Sequence, residues 1–132
     1  EQTREKLDRI LASMAERGWD SFVIERRDDP RFAGIVGLAP QEVDGVEEIE
    51  LGYRLMPPFW GQGLATEAAC ATRDYAFETL GLPRIISIIE PENVGSIRVA
   101  EKAGLRYERD AHKWERVVRI YAAAAPHSDT PT

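Results

Sequence analysis

Between Glu47 and Leu80 the chain changes its repeat, and few architectures accommodate the change. Ile49, Leu51, Tyr53 and Leu55 alternate with Glu48, Glu50, Gly52 and Arg54, the pattern of a strand with one apolar and one polar face. Pro57 and Pro58 stop that strand. The glycine segment "FWGQGLATEAA" follows, Phe59 to Ala69, and a helix is expected from Thr66 to Leu80, closed by Gly81. "RIISIIE" at 84–90 is nearly continuous in apolar residues, as expected of a central strand covered on both faces. Strand, helix and buried strand make a βαβ crossover with parallel strands, so the chain reads as α/β.

The flanks extend this frame. Leu7, Ile10, Leu11 and Met14 recur at helical spacing before Gly18, which predicts an amphipathic helix over 3–17. Trp19–Arg26 and Phe32–Leu38 read as a hairpin around "RRDDPR", and "APQEVDG" reads as a loop before the strand at 47–56. Asn93 is a helix cap, Ser96–Ala103 a short helix stopped by Gly104, and the last two strands are expected at 105–109 and 113–122. With 132 residues and 43% hydrophobic content this is one domain, spanning 1–124, with a disordered tail over 125–132.

Charge and cysteine usage narrow the function. A net charge of −6 argues against nucleic acid as the main ligand and favours a cationic one. Cys70 stands alone, so no internal disulfide forms, and no apolar run approaches the ~20 residues of a membrane span. A reducing, cytoplasmic setting is expected. The chain opens Glu-Gln-Thr with no methionine and no signal-peptide pattern, as a truncated piece would.

Gly61, Gly63 and Ala65 stand where strand gives way to helix, so small residues would turn successive backbone N–H groups, with the helix N-terminus, toward an anion. A phosphate or pyrophosphate is the natural guest. The same glycines would also serve a plain tight loop. No Lys-Ser/Thr follows, which excludes a Walker-type loop. A dinucleotide fingerprint, with Glu90 as ribose ligand, is the better rival. Against it, Thr66 replaces the third glycine, and Pro57-Pro58-Phe59-Trp60 separates strand from loop.

Three further signatures, P-x-x-W-G-x-G-x-A-T-E-A, then P-x-N-x-x-S, then E-K-x-G, run through Ile49–Leu105. Together they resemble the core of the GNAT superfamily of acyl-CoA-dependent N-acyltransferases, closest to the ribosomal-protein N-terminal-alanine acetyltransferase branch. The resemblance implies a mixed, mostly antiparallel sheet whose parallel central strands splay apart, flanked by helices, with the pantetheine arm of acetyl-CoA between those strands. It places the pyrophosphate on the backbone of Gly61, Gln62, Gly63, Leu64, Ala65 and Thr66, with Trp60 opening the loop, as is usual in that branch. Asn93 would hydrogen-bond the pantetheine amides, or only cap its helix. Many members carry a tyrosine as acid toward the leaving thiolate; here that position is Ala100, which leaves the task to Ser96 or an ordered water. The fold normally opens with a strand and a helix ahead of the one at residue 3, and the chain holds no sequence for them. A homodimer is left open.

A protonated amine cannot attack a thioester, so the reaction needs a base and an oxyanion donor. Glu50, on the polar face of the strand leading into the glycine loop and matching the superfamily glutamate, is the expected base; backbone N–H groups near Leu55 would serve the oxyanion. Glu48 and Glu50 would equally keep an exposed sheet face wet. Cys70 reads as a small buried hydrophobe, which makes transfer direct, without an acyl-enzyme. His112 is a surface turn residue or an acceptor-site wall; His127 sits in the tail. Trp19, Phe59, Trp60 and Trp114 read as core or pocket wall, and no Cys/His cluster suggests a metal. The expected activity is acetyl transfer from acetyl-CoA to a primary amine, on a small molecule or a protein N-terminus. The alternatives are a catalytically weak acyl-CoA-binding or regulatory module and a nicotinamide-dependent oxidoreductase.

Overall fold

The computed structural model describes residues 20–26 and 28–126. The helix expected over 3–17, Trp19, and the tail with His127 lie outside the described residues. Six strands form one sheet: β1 (Asp20–Arg26), β2 (Asp29–Val43), β3 (Val46–Leu55), β4 (Arg84–Ile89), β5 (Arg106–Lys113) and β6 (Arg116–Ala124), in the order β1-β2-β3-β4-β6-β5. Every neighbouring pair is antiparallel except β3 and β4. Helix α1 (Leu64–Asp74) makes the crossover between those two, ending in a wider π-type turn at Tyr75–Thr79, and α2 (Val94–Lys102) joins β4 to β5. This is the mixed, mostly antiparallel sheet with a parallel central pair that the resemblance implies.

The alternation in β3 decides which side is covered. Ile49, Leu51, Tyr53 and Leu55 face the helices and join Leu38, Ile85, Ala100 and Leu105 in the main core. A smaller core on the opposite face gathers Val43, Ile86, Ala111, Val118 and Ile120. β4 is rich in isoleucine because it contributes to both: Ile85 and Ile86 point to opposite cores and both are fully buried.

Several boundaries move. "APQEVDG" is strand rather than loop, and only Asp44 and Gly45, with φ of 52° and 81°, make the turn. Asp-Gly with φ positive at both positions is the two-residue hairpin turn whose twist matches the strands it joins. Pro40 lies inside β2, where it stands opposite Ile49 of β3. α1 starts at Leu64 rather than Thr66, and α2 at Val94 rather than Ser96. β5 runs through His112 to Lys113, so the last turn falls on Trp114 and Glu115, both at positive φ and neither a glycine. Ala125, placed in the tail by sequence, is buried and donates its amide to Pro83 O at 2.9 Å.

Candidate active site

β3 and β4 meet at a single residue pair, Glu50 opposite Ile86. One step further, the buried Ser87 hydroxyl donates to Leu51 O at 2.7 Å, and there the parallel pairing ends. β4 goes on pairing with β6 through Ile89, while β3 follows β2 to Leu55. The two central strands therefore part toward the glycine loop. On the helix side the gap is crossed by Tyr53, whose hydroxyl donates to Ser96 O in the first turn of α2 at 2.8 Å. Burial, and secondarily the charge of Glu50, push the Tyr53 phenol well above its ordinary range.

The loop after β3 is built on its own side chains. Phe59 N donates to Met56 O and Trp60 N to Pro57 O, forming a short 3₁₀ turn, and Phe59 is buried with the Arg31 guanidinium 5.1 Å from its ring centroid. The exposed Trp60 returns its indole N–H to Leu55 O at 3.0 Å. Gln62 donates to Pro58 O and accepts from Arg26 at the end of β1. Trp60 and Gln62 thus brace the loop, and what the loop offers a ligand is main chain.

Gly61 and Gly63 hold φ of 76° and 79°, a conformation that a side chain strains. A Cβ built at either would meet nothing within 4 Å, so it would project into the open space in front of the loop. No amide from Gly61 to Thr66 donates a backbone bond among the described residues; the first in the series is Glu67 N to Gly63 O at 3.0 Å. A run of free N–H groups merging into a helix N-terminus suits a pyrophosphate. Leu64, Ala65 and Thr66 supply the first turn of α1.

Glu50 stands at the apex of the gap, on the face away from the helices. Its carboxylate accepts from Gln41 Nε2 at 3.2 Å and from the Ile88 amide, and Lys113 is close enough to act on its charge. Burial outweighs all three and raises its pKa above the ordinary glutamate value. Glu48, two residues back, is a different kind of group: Arg84 clasps both its oxygens at 3.0 and 3.1 Å and also holds Glu108. A carboxylate so paired is structural, whereas Glu50 meets only neutral donors at hydrogen-bond range.

The start of α2, which Tyr53 ties to β3, carries two more of the expected residues. Asn93 caps α2 through its side-chain oxygen, which accepts from Ser96 N at 3.2 Å. Ser96 is half-buried in that same turn, and Ala100, fully buried, carries no group to donate. Cys70 packs at the edge of the main core, 3.8 Å from Arg73 Nη1. His112 is exposed on β5, and Trp114 is exposed at the last turn rather than in a core or pocket wall. Glu90 forms an ion pair with Arg116 instead of waiting at a strand end for a ribose. Among the described residues no group of three or more His, Cys, Asp or Glu is placed to hold a metal, and no helix is long and apolar enough to cross a membrane. Sequence reasoning missed Gln41 and Tyr53: one was assigned to a loop, and the other was counted only as an apolar face.

Comparison with known proteins bears on family and fold. Residues 1–106 match the family model described as an acetyltransferase (GNAT) domain. An uncharacterized protein of Bacillus subtilis, YkkB, is 33% identical over 120 residues, 91% of this chain and 70% of the relative. The probable N-acetyltransferase YjcK of the same organism is 39% identical over 92 residues, 70% of this chain and 51% of its own length. The chain thus spans 70% of the first of these relatives and about half of the second. A crystal structure of an acetyltransferase from Agrobacterium tumefaciens superposes with a TM-score of 0.70 at 32% identity, covering 86% of this chain and 65% of that one. A ribosomal-protein-S5-alanine acetyltransferase from Vibrio fischeri superposes with a TM-score of 0.72 at 19% identity over 92% of this chain and 70% of that one, a likeness of fold alone.

Proposed function

Because the chain belongs to the GNAT acetyltransferase family, we propose that it transfers the acetyl group of acetyl-CoA directly to a primary amine, with Glu50 as the base. The observation that carries this is the half-buried Glu50 carboxylate at the one residue pair that joins the β3 and β4 ladders, bounded by neutral donors and with its proton affinity raised by burial. A carboxylate whose pKa is raised by burial holds a proton more tightly than an ordinary glutamate, which suits a base. It takes the proton of the incoming ammonium, and the freed lone pair attacks the thioester carbonyl. The carbon–nitrogen bond forms, the carbon–sulfur bond breaks, the thiolate leaves with the electron pair, and the second proton of the attacking nitrogen passes through the Ser96 hydroxyl or a water to that thiolate.

The chain's other groups position this step. Free amides at 61–66 hold the pyrophosphate, the gap between β3 and β4 takes the extended arm, and the backbone near Leu55 faces the developing oxyanion. Asn93 and Ser96 sit at the start of α2, where the arm would pass; Ser96 is the hydroxyl assigned to the departing thiolate. In this reading the acceptor is a protein N-terminus or a small amine, and Trp60 within P-x-x-W-G-x-G supports a place near the ribosomal-protein N-terminal acetyltransferases.

Ala100 favours a second reading, an acyl-CoA-binding module with weak catalysis, since it leaves α2 without a phenolic acid at that turn. Incubation of the full chain with labelled acetyl-CoA and a panel of peptides and small amines separates the two. Label in the amine fraction supports transfer; CoA binding without transfer selects the binding module; no binding of CoA overturns both.

A further inference from the structure

We propose that the acceptor is a primary amine that also carries a carboxylate, selected by a glycine-floored notch between Glu50 and Arg54; the proposal rests on Glu50 being the base. On the face of the sheet away from the helices, β2 and β3 set three cross-strand pairs in a row: Ala39 opposite Glu50, Gly37 opposite Gly52, and Ile35 opposite Arg54. The middle pair has no side chains. A cavity of about 370 Å³ opens along this row, lined by all six residues. A Cβ built on Gly52 would meet nothing within 4 Å. Glycine weakens a strand interior, and its presence there marks a place where another molecule comes close to the backbone.

The ends of the notch carry opposite charge. Glu50 lies at one end, half-buried, ready for an ammonium. Arg54 lies at the other, exposed and without an ion-pair partner among the described residues, whereas Arg26, Arg31, Arg84 and Arg109 each hold a carboxylate. Four residues of strand separate the two, roughly 13 Å at about 3.3 Å per residue. An extended peptide covers that span in three to four residues. Its N-terminal amine at Glu50 therefore brings an acidic side chain near its third position to the Arg54 guanidinium. A polyamine in the same notch would set its second ammonium against that guanidinium. The overall charge of −6 does not draw acidic acceptors in, so the selection is local.

The test compares kcat/KM for three peptides that differ only in Asp, Asn or Lys at the third residue, with wild type, Arg54→Glu and Gly52→Val. Exposed charge pairs change affinity by up to roughly 5-fold. Wild type should therefore prefer Asp over Asn over Lys by about 2- to 5-fold at each step, and Arg54→Glu should reverse the order. Gly52→Val should raise the peptide KM more than 10-fold and leave the KM for acetyl-CoA unmoved; Gly52→Ala serves in its place if the valine variant does not fold. Transfer that ignores the charge of the third residue, or an order unchanged in Arg54→Glu, overturns this proposal and leaves the acetyltransferase reading intact. CoA binding with no transfer to any amine overturns both.

Discussion

Glu50→Gln tests the chemistry at its centre. The substitution keeps the shape and removes the group that accepts the proton, so kcat/KM at pH 7 should fall 10²–10⁴-fold, a loss of about 2.7–5.4 kcal/mol of transition-state stabilisation. Stability should move little, because two effects oppose each other. Gln41 Nε2 and the Ile88 amide both donate to the carboxylate, and an amide has one oxygen for the two, which costs about 1 kcal/mol. Against that, the variant no longer buries a charge. The sign follows from linkage: burial raises the folded-state pKa of Glu50, so its charged form destabilises the native state above that pKa and not below the unfolded value. Relative to wild type, the variant should gain stability as pH rises through that window. The activity profile is sharper still. Wild type takes its proton from bound ammonium, whereas the variant must wait for free amine. For an α-amine of pKa ~8 the free fraction climbs from about 10% at pH 7 to about 90% at pH 9, so the deficit should shrink nearly 10-fold over that range. Steady-state rates from pH 6 to 9, with chemistry confirmed as rate-limiting by single-turnover measurements, check this. A wild-type rate in the variant at pH 7, or a deficit constant with pH, would refute the assignment.

Gly63→Val should weaken CoA binding at least 10-fold by calorimetry while the protein stays folded, since a branched side chain at φ 79° strains the loop and projects into the ligand's path; unchanged affinity in a folded variant would remove the phosphate loop from the account. Ser87→Ala deletes the buried hydroxyl that holds Leu51 O where β3 and β4 meet, and should lower stability by about 1–3 kcal/mol, read as the urea midpoint; an unmoved midpoint would mean that the bond is not part of what closes the sheet. Glu48→Gln, which loosens the Arg84 clasp, should reduce stability without the pH-dependent activity loss of Glu50→Gln, and equal kinetic defects in the two variants would contradict their separation into structural and chemical carboxylates.

What the sequence disclosed, it disclosed through local rules. The alternation in β3, the apolar run of β4, the Asn93 cap, and the stops at Gly81 and Gly104 each depend on near neighbours, and each is where it was expected. "APQEVDG" reads as a loop from its turn-forming residues, but the turn needs only Asp44 and Gly45, and the strand runs through Pro40 to Val43. Trp114 and Glu115 turn the chain at positive φ with no glycine to announce it. The partners of the site were out of reach for another reason. Gln41 meets Glu50, Arg84 meets Glu48, Tyr53 meets Ser96, and Gly37 faces Gly52 only once strand register is set, and register is a property of the assembled sheet.

The single ladder pair between β3 and β4 also bears on how the chain comes together and comes apart. It divides the sheet into two halves, β1-β2-β3 and β4-β6-β5. The first is a meander of sequence-adjacent hairpins, and β5-β6 is another tight hairpin, so both form from short-range contacts that assemble quickly. The pairing of β4 with β6 and the union of the two halves are the slow, long-range events, and the union is secured by the α1 crossover, the Ser87–Leu51 bond and the Arg84–Glu48 clasp. The seam is then the weakest line in the native state: it can open while both halves keep their ladders, a sub-global unfolding unit of lower free energy than the whole. Deuterium labelling should find the β3 and β4 amides beyond Leu51 and Ser87 exchanging before those of the β1–β2 and β5–β6 ladders.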